Sequence, residues 1–459
     1  MCPVAYGGHV APTRRIVLGG LGTLAVTALG CSRSEPAVRP TGAIVTRWAS
    51  DPWSLGSYSA VPIGASPTDR LRLGESFGPI HVAGEATSTE APATVHGALA
   101  SGERAAAEVA ADIAAGGRVI VIGAGAAGLA AAARLAPTHS VTVLEARPRP
   151  YGRVLTDRSS GVPIELGAAW IHGAADNPLV ESARLAGVAT VPFNWDDSRV
   201  VADDGARDDS RAREAFAATL EQLAEDEDLQ ELSVEQAVAE SVARLGLDDE
   251  TTAAVDRLVA SDIEGESALS ATTLSVAGWN EGDDLVGGDL LVVGGFDRIL
   301  EPLTAGIDLR TDAPVDRITW TGEGSGAQVD GPRFSERADA VILTVPLALL
   351  QAGLPLLDGP VPATWRDAAD RLRTGTLDKT VLTFEPTVPN QRWPSTLVTG
   401  WWGADRGRFA EWINLDEATG APVVVATTAG DAALVLEAAD DELIIAEATE
   451  VFDRISVPV

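Results

Sequence analysis

Two features of this chain have residue types and spacing that could do chemistry. Gly123-Ala124-Gly125-Ala126-Ala127-Gly128 has the glycine spacing of a turn that lets backbone approach a dinucleotide. Lys379 is the only lysine among 34 basic residues, in a chain that otherwise uses arginine. A compact ammonium shifts its pKa readily and can hold a water, a task for which a planar guanidinium is a poor substitute. The lysine lies in Gly375-Thr376-Leu377-Asp378-Lys379-Thr380-Val381-Leu382-Thr383-Phe384, an alternating stretch that predicts a strand.

The glycine turn needs elements on both sides, and they are present in order. Val119-Ile120-Val121-Ile122 reads as a buried parallel strand, and an alanine-rich helix runs from the turn through Leu135. Pro137-Thr138-His139-Ser140 breaks that helix, and Val141-Thr142-Val143-Leu144 starts a second strand ending in Glu145. Gly123 allows the tight turn, Gly125 brings backbone to the pyrophosphate, and Gly128 lets helix and strand pack closely. The helix start around Ala127 offers unpaired N–H groups to the phosphates. Glu145, 22 positions after Gly123, can accept bonds from a ribose diol. The unit predicts a dinucleotide site, with NAD and FAD both open.

The next segment points to FAD. Glu145-Ala146-Arg147-Pro148-Arg149-Pro150-Tyr151-Gly152-Arg153-Val154 resembles the sequence after the second strand of flavin amine oxidases, apart from Tyr151, where a second glycine is usual. Glu165-Leu166-Gly167-Ala168-Ala169-Trp170-Ile171-His172-Gly173 is similar to the segment beside the isoalloxazine in that family. The resemblance implies that Arg147 and Arg153 hold the cofactor's phosphates and nearby backbone. Gly152, Ala169 and Trp170 would also bind FAD, and backbone near Val315 would meet the adenine. Lys379 would hold a water against the flavin N5 edge and assist reaction with oxygen.

A second set of matches lies at the front of the chain. Thr46-Arg47-Trp48, Asp51-Pro52-Trp53, Gly56-Ser57-Tyr58-Ser59, Ala83-Gly84-Glu85-Ala86-Thr87 and Thr94-Val95-His96-Gly97-Ala98 resemble the C-terminal end of polyamine oxidases and lysine-specific histone demethylases. There this segment comes last and its helix returns to the flavin. Here the helix, from about Thr94 to Ala114, leads into the first Rossmann strand. Leu436 to Ile455 looks like the stretch that normally precedes the Arg-Trp segment, so the order reads as a circular permutation. By the resemblance Trp53, Glu85, Thr94 and Val95 contact FAD, and Tyr58 forms one wall of the substrate cage. His172 faces substrate, and Trp48 is a further pocket residue. Ser57 stands where monoamine oxidases carry a flavin-linked cysteine, so the FAD is expected to be noncovalent.

Composition bounds the rest. Acidic residues outnumber basic ones 66 to 34, for a formal charge of -32, which excludes nucleic acid as a partner. A cationic substrate is attracted, within a screening length of about 8 Å at physiological salt. Hydrophobic residues make up 46%, enough for a large core. Cys2 and Cys31 are the only cysteines and the five histidines are scattered, so no metal site is expected. Thr13-Arg14-Arg15 before an uncharged run from Ile16 to Gly30 resembles a twin-arginine export signal. Gly30-Cys31 resembles a lipoprotein cleavage box, which would place a lipid anchor at Cys31 in the cell envelope.

The expected fold is α/β: a Rossmann-like FAD domain interleaved with a mixed α+β substrate domain. Residues 1–40 form the signal and linker, and 41–66 a flavin-contact part of the substrate domain. Residues 67–175 and 289–346 build the FAD domain. Residues 176–288 and 347–459 give the helical and sheet parts of the substrate domain. Helix-like spacing marks 211–225 and 233–245, while 199–210 and 321–332 read as polar loops. The expected reaction is hydride transfer from the carbon beside a primary or secondary amine nitrogen to flavin N5, with O2 reduced to H2O2 and a polyamine-like substrate preferred. An L-amino acid oxidase, another flavin oxidoreductase and a catalytically silent flavin-binding protein are the alternatives.

Overall fold

The computed structural model describes residues 13–16, 38–282, 285–322, 324 and 326–458. Cys2, Cys31 and the apolar run from Val17 to Gly30 lie outside the described residues. The apolar run before the glycine turn forms the strand Arg118–Ile122, buried from Val119 onward. It is the centre of a five-stranded sheet in the order Asp308–Arg310, Ser140–Leu144, Arg118–Ile122, Ala340–Leu343, Ile80–Val82, with every neighbouring pair parallel. Parallel strands need cover on both faces, which explains their near-continuous apolar character. The edge strand Ile80–Val82 precedes the glycine turn in the chain, so the front segment completes the nucleotide-binding sheet.

The front segment also supplies a helix, Val95–Asp112, which packs on the glycine-turn helix Ala126–Leu135. Small residues make that crossing possible. A Cβ on Gly102 would stand 2.1 Å from the Ala127 carbonyl oxygen, and Ala98, Ala105 and Ala106 are buried along the same face. Gly128 is equally constrained, since a Cβ there would lie 2.0 Å from the Gly123 carbonyl oxygen. The helix therefore sits directly on the turn.

Lys379 lies in the strand Leu377–Thr383, inside an eight-stranded sheet. The order is Thr13–Ile16, Gly42–Thr46, Leu377–Thr383, Val423–Ala429, Glu411–Asn414, Val398–Trp402, Ser198–Ala202, Gly205–Arg207. The alternation in the Lys379 strand does not separate core from solvent, because Asp378 to Leu382 are all buried. Leu382 packs with Ile444, Ile445 and Phe452 of the helix Asp441–Ile455, while Val381 packs with Leu166, Ala169 and Leu291. Both faces are covered.

The expected helices occur as Ser210–Glu225 and Val234–Leu245, the latter opened by a capping box between Ser233 and Gln236. The two stretches read as polar loops need correction. Ser198–Ala202 and Gly205–Arg207 form a hairpin whose first strand runs parallel to Val398–Trp402, and Ala327–Gly331 is a central strand of a four-stranded sheet. Their Asp-Asp-Gly and Gly-rich surroundings hide short apolar runs that only distant partners stabilise. No helix among the described residues is long and apolar enough to cross a membrane.

A buried ion pair ties the front segment to the nucleotide-binding unit. Arg147 donates to both Asp51 carboxylate oxygens, at 2.9 and 2.5 Å, and to the Ser54 hydroxyl at 2.8 Å. The side chains are 7% and 0% exposed, so neither charge has water as an alternative partner. Asp51→Asn should therefore lower stability by about 3–5 kcal/mol, the usual cost of leaving one partner of a buried pair alone. Urea unfolding checks this, and a change below about 1 kcal/mol would show that the pair does not anchor the segment.

Candidate active site

The two sheets and the front segment enclose one continuous cavity of about 1040 Å³. Its first end is built on the glycine turn. Gly123 has φ +104, a conformation that side chains rarely adopt, and Gly125 opens onto free space where a Cβ would touch nothing. No side chain caps the helix beginning at Ala126, and Ala126 and Ala127 line the cavity, so the N-terminal N–H groups are placed to receive phosphate. Gly128 alone among the expected cofactor residues does not line the cavity; it serves the packing described above.

Glu145 sits beside the turn and accepts bonds from the backbone N–H groups of Ala124 and Arg147, both at 2.8 Å. Burial raises its pKa, against the pull of those N–H groups and the Arg147 charge. Val315 lines the same end. Arg147 borders the cavity, but its guanidinium is bonded to Asp51 and Ser54, so within the protein it acts as a clamp on the front segment. Arg153 donates to the Ser57 carbonyl oxygen at 2.8 Å and to Glu85 at 3.0 Å. Burial pushes the Glu85 carboxyl up, but Arg153, Arg70 and the Ser59 hydroxyl outweigh it and hold the group below its ordinary value.

Tyr151 takes the strained backbone that a glycine would relieve, with φ +76, followed by Gly152 at φ +55. Its N–H donates to the Ala124 carbonyl oxygen at 2.7 Å, so the loop still closes on the glycine turn. Its ring packs against the core around the glycine-turn helix. The tyrosine is accommodated at a backbone cost of about 1–2 kcal/mol.

In the middle of the cavity stands Lys379, 3% exposed. Its Nζ donates to the carbonyl oxygens of Glu165 at 3.0 Å and Gly167 at 2.7 Å, and lies 5.3 Å from the Trp170 ring centroid. An ammonium has three donors, so one is left for a water or a ligand in the cavity. Burial pushes its pKa down to about 8, with the Glu165 carboxylate acting against the shift. Glu165 is in turn pushed up to about 7 by burial, against bonds from Thr156 and the Phe296 N–H and the charge of Lys379. Trp48, Trp53, Ala169, Trp170, Thr94 and Val95 line this region, with the Thr94 hydroxyl capping the helix Val95–Asp112.

The far end is a chamber with an unusual charge balance. Tyr58 lines it with its hydroxyl donating to the Gly265 carbonyl oxygen at 3.1 Å, and burial raises its pKa well above the ordinary value. His172 is fixed by Asp289 at 2.9 Å, and the same carboxylate oxygen accepts from Trp195. A π-helical turn, Val259–Ile263, follows the helix Asp249–Leu258 and presents Ser261 and Asp262 to the cavity, with Glu266 four residues on. Glu411 lines the cavity as well, close enough to Asp262 to feel its charge. Burial raises the pKa of all three carboxyls, Glu411 to about 8, and among the described residues no arginine or lysine closes an ion pair with any of them. Arg213 is in reach but is bonded to Asp209 at 2.5 Å. These three acids were not singled out in the sequence, where nothing separates them from the other acidic residues.

The cavity fits FAD: an open glycine turn, an uncapped helix start, an acid beside the turn and a buried ammonium at midlength. No cysteine lies among the described residues, so no thiol is available there for a covalent link. The folded state lowers the Lys379 pKa, so between about pH 8 and the ordinary 10.5 the unfolded chain binds the extra proton. Stability therefore rises with pH across that window. Lys379→Met should remove this rise, and urea midpoints of both proteins from pH 7 to 10 measure it; a constant difference would mean that the ammonium is not desolvated.

The profile of a known family, described as flavin containing amine oxidoreductase, matches residues 23–110 and 126–458. The chain is 32% identical over 346 residues to probable polyamine oxidase 4 of Arabidopsis thaliana, covering 71% of this chain and 68% of that protein. It is 32% identical over 349 residues to polyamine oxidase 4 of Oryza sativa subsp. japonica, covering 71% and 70%. The fold is similar to that of a putrescine oxidase solved with putrescine, with TM-score 0.56, 20% identity and coverage of 74% and 81%. The chain belongs to the flavin containing amine oxidoreductase family, and its cofactor is FAD.

Proposed function

We propose that the preferred substrate is a diamine or polyamine, held as a cation at one end and oxidised at the other. The carrying observation is the set of carboxyls at Asp262, Glu266 and Glu411, which line the chamber without a closing cation. Carboxyls left in that state are stabilised by a ligand that brings positive charge. The names of the relatives, polyamine oxidases and a putrescine oxidase, agree with this chemistry. Bound FAD supplies the two-electron oxidation of the carbon beside nitrogen, with O2 as the final acceptor and H2O2 as product. The imine then hydrolyses.

The residues of this chain divide the remaining work. Tyr58, held by Gly265, offers an aromatic face to the reacting amine. His172, oriented by Asp289, borders the same space. Lys379 holds a water through its free donor and assists the oxygen step. Arg213 is the group that a carboxylate substrate would seek, and its bond to Asp209 beside Asp262 and Glu411 disfavours an L-amino acid.

We further infer that the chain order is permuted. Val38 packs with Ile444, Ile445 and Phe452, and Arg47 donates to the carbonyl oxygens of Glu437 and Ala439 and to Asp441. Residues 38–47 and 437–452 are thus neighbours, as a permuted order requires. Export and lipidation at Cys31 remain part of this reading on the strength of the signal-like sequence. Mass spectrometry of the mature N-terminus tests them.

The substrate test is anaerobic mixing of the FAD-loaded protein with diamines, monoamines and L-amino acids while the visible flavin band is followed. Bleaching by diamines supports the reading, and a band that no amine bleaches overturns it. Glu411→Gln should raise KM for a diamine about tenfold, the size of one charge-assisted bond, and leave a monoamine of equal length unchanged. The same change should stabilise the substrate-free protein near pH 8. The folded state raises the Glu411 pKa to about 8, so it costs stability as pH rises from the ordinary carboxyl value toward 8. An unchanged diamine KM removes Glu411 from the substrate site.

A further inference from the structure

A chain of ion pairs and hydrogen bonds joins the cofactor end of the cavity to the wall of the substrate chamber by way of Arg70, which lies behind the lining. It begins at Arg153, which holds the Glu85 Oε1 at 3.0 Å. The other Glu85 oxygen accepts from the Ser59 hydroxyl at 2.6 Å. Arg70 donates to that hydroxyl at 2.7 Å, and to the carbonyl oxygens of Ser59 and Ala86. The rest of its guanidinium grips Glu281 in two parallel bonds, at 2.6 and 2.5 Å. Glu85, Arg153 and Ser59 line the cavity, as does Glu281 beside Trp279, Asn280 and Gly282. Arg70 does not line the cavity and is 0% exposed.

We propose that Arg70 is a positioning residue that couples occupancy of the FAD cradle to the placement of the Glu281 wall of the substrate chamber. A buried guanidinium must keep its carboxylate partners, because no water replaces them. Arg70 is held from both sides, by Glu281 directly and by Glu85 through Ser59, so a shift at either end is passed to the other. The bidentate grip fixes direction as well as distance. Tyr58 immediately precedes Ser59, so the residue that forms the cage wall is next in the chain to one held by Arg70. The coupling concerns how FAD is held and is independent of which amine is oxidised.

Reciprocity gives the test. If bound FAD orders the Glu281 wall, loss of the Glu281 anchor must in turn weaken the hold on FAD. Hydrogen exchange on the full chain is measured with FAD bound and after its removal, together with the rate of FAD release followed by flavin fluorescence. In the wild type, FAD removal should speed exchange at residues 279–282. Glu281→Gln should release FAD at least threefold faster, although residue 281 lies in the substrate wall. Arg70→Met should abolish the dependence of 279–282 on FAD, and adding Glu281→Gln to it should cause no further loss. A purely structural Arg70 would lower melting of the free and loaded proteins equally and leave the exchange response intact. Unchanged exchange at 279–282 on FAD removal, or additive effects of the two substitutions, overturns the proposal. If Arg70→Met does not fold, the wild-type exchange and the Glu281→Gln release rate decide it alone.

Discussion

The interaction on which the arrangement depends is the seating of one ammonium between two carbonyl oxygens. Lys379 can be buried only if Glu165 and Gly167 turn their carbonyls toward its strand, and that requires Gly167 to pass close to Arg153, where a Cβ would stand 1.8 Å from the carbonyl oxygen. The Lys379 backbone N–H is in turn bonded to the Thr46 hydroxyl of the front segment. One residue thus brings together the front strand, the loop after the nucleotide-binding unit and the late substrate sheet. Its desolvation would be prohibitive without these partners, and they leave one donor facing the cavity.

Charge pairing then separates the two ends of the cavity. At the cofactor end Arg147 is paired with Asp51 and Arg153 with Glu85, and Arg70 with Glu281 links that end to the chamber wall. At the substrate end Asp262, Glu266 and Glu411 have none. The protein carries the cost of those solitary acids in its free state, a common trade of stability for binding. The π-helical turn that delivers Asp262 is the same kind of local departure from regular structure, placed where the chamber needs a side chain re-aimed.

Much of this was legible in the sequence, and the reasons differ from residue to residue. The glycine turn, Glu145 and the flanking strands could be read because one short stretch contains every part of the unit. Lys379 stood out because the composition made it solitary. The helix on Ala126–Leu135 was placed by resemblance and not by local pattern, and the strand Ile80–Val82 was not singled out, since its partner lies far along the chain. Arg147 was expected to face phosphate, and the structure shows its guanidinium committed to Asp51, a pairing that no local spacing reveals. Asp262, Glu266, Glu411 and Arg70 were missed for the same reason. A buried acid and a surface acid look alike until the fold decides which partners each one has.

The order of the chain has a consequence for biosynthesis. The strand Gly42–Thr46 is made early, yet its neighbour on one side is Leu377–Thr383, more than three hundred residues later. Tyr58, Glu85 and Thr94 are likewise translated before the glycine turn that they face. The early segment must therefore wait on the ribosome, with its apolar strand edge unpaired, until most of the chain has emerged. The cavity is therefore complete only after Lys379 and Glu411 have been translated.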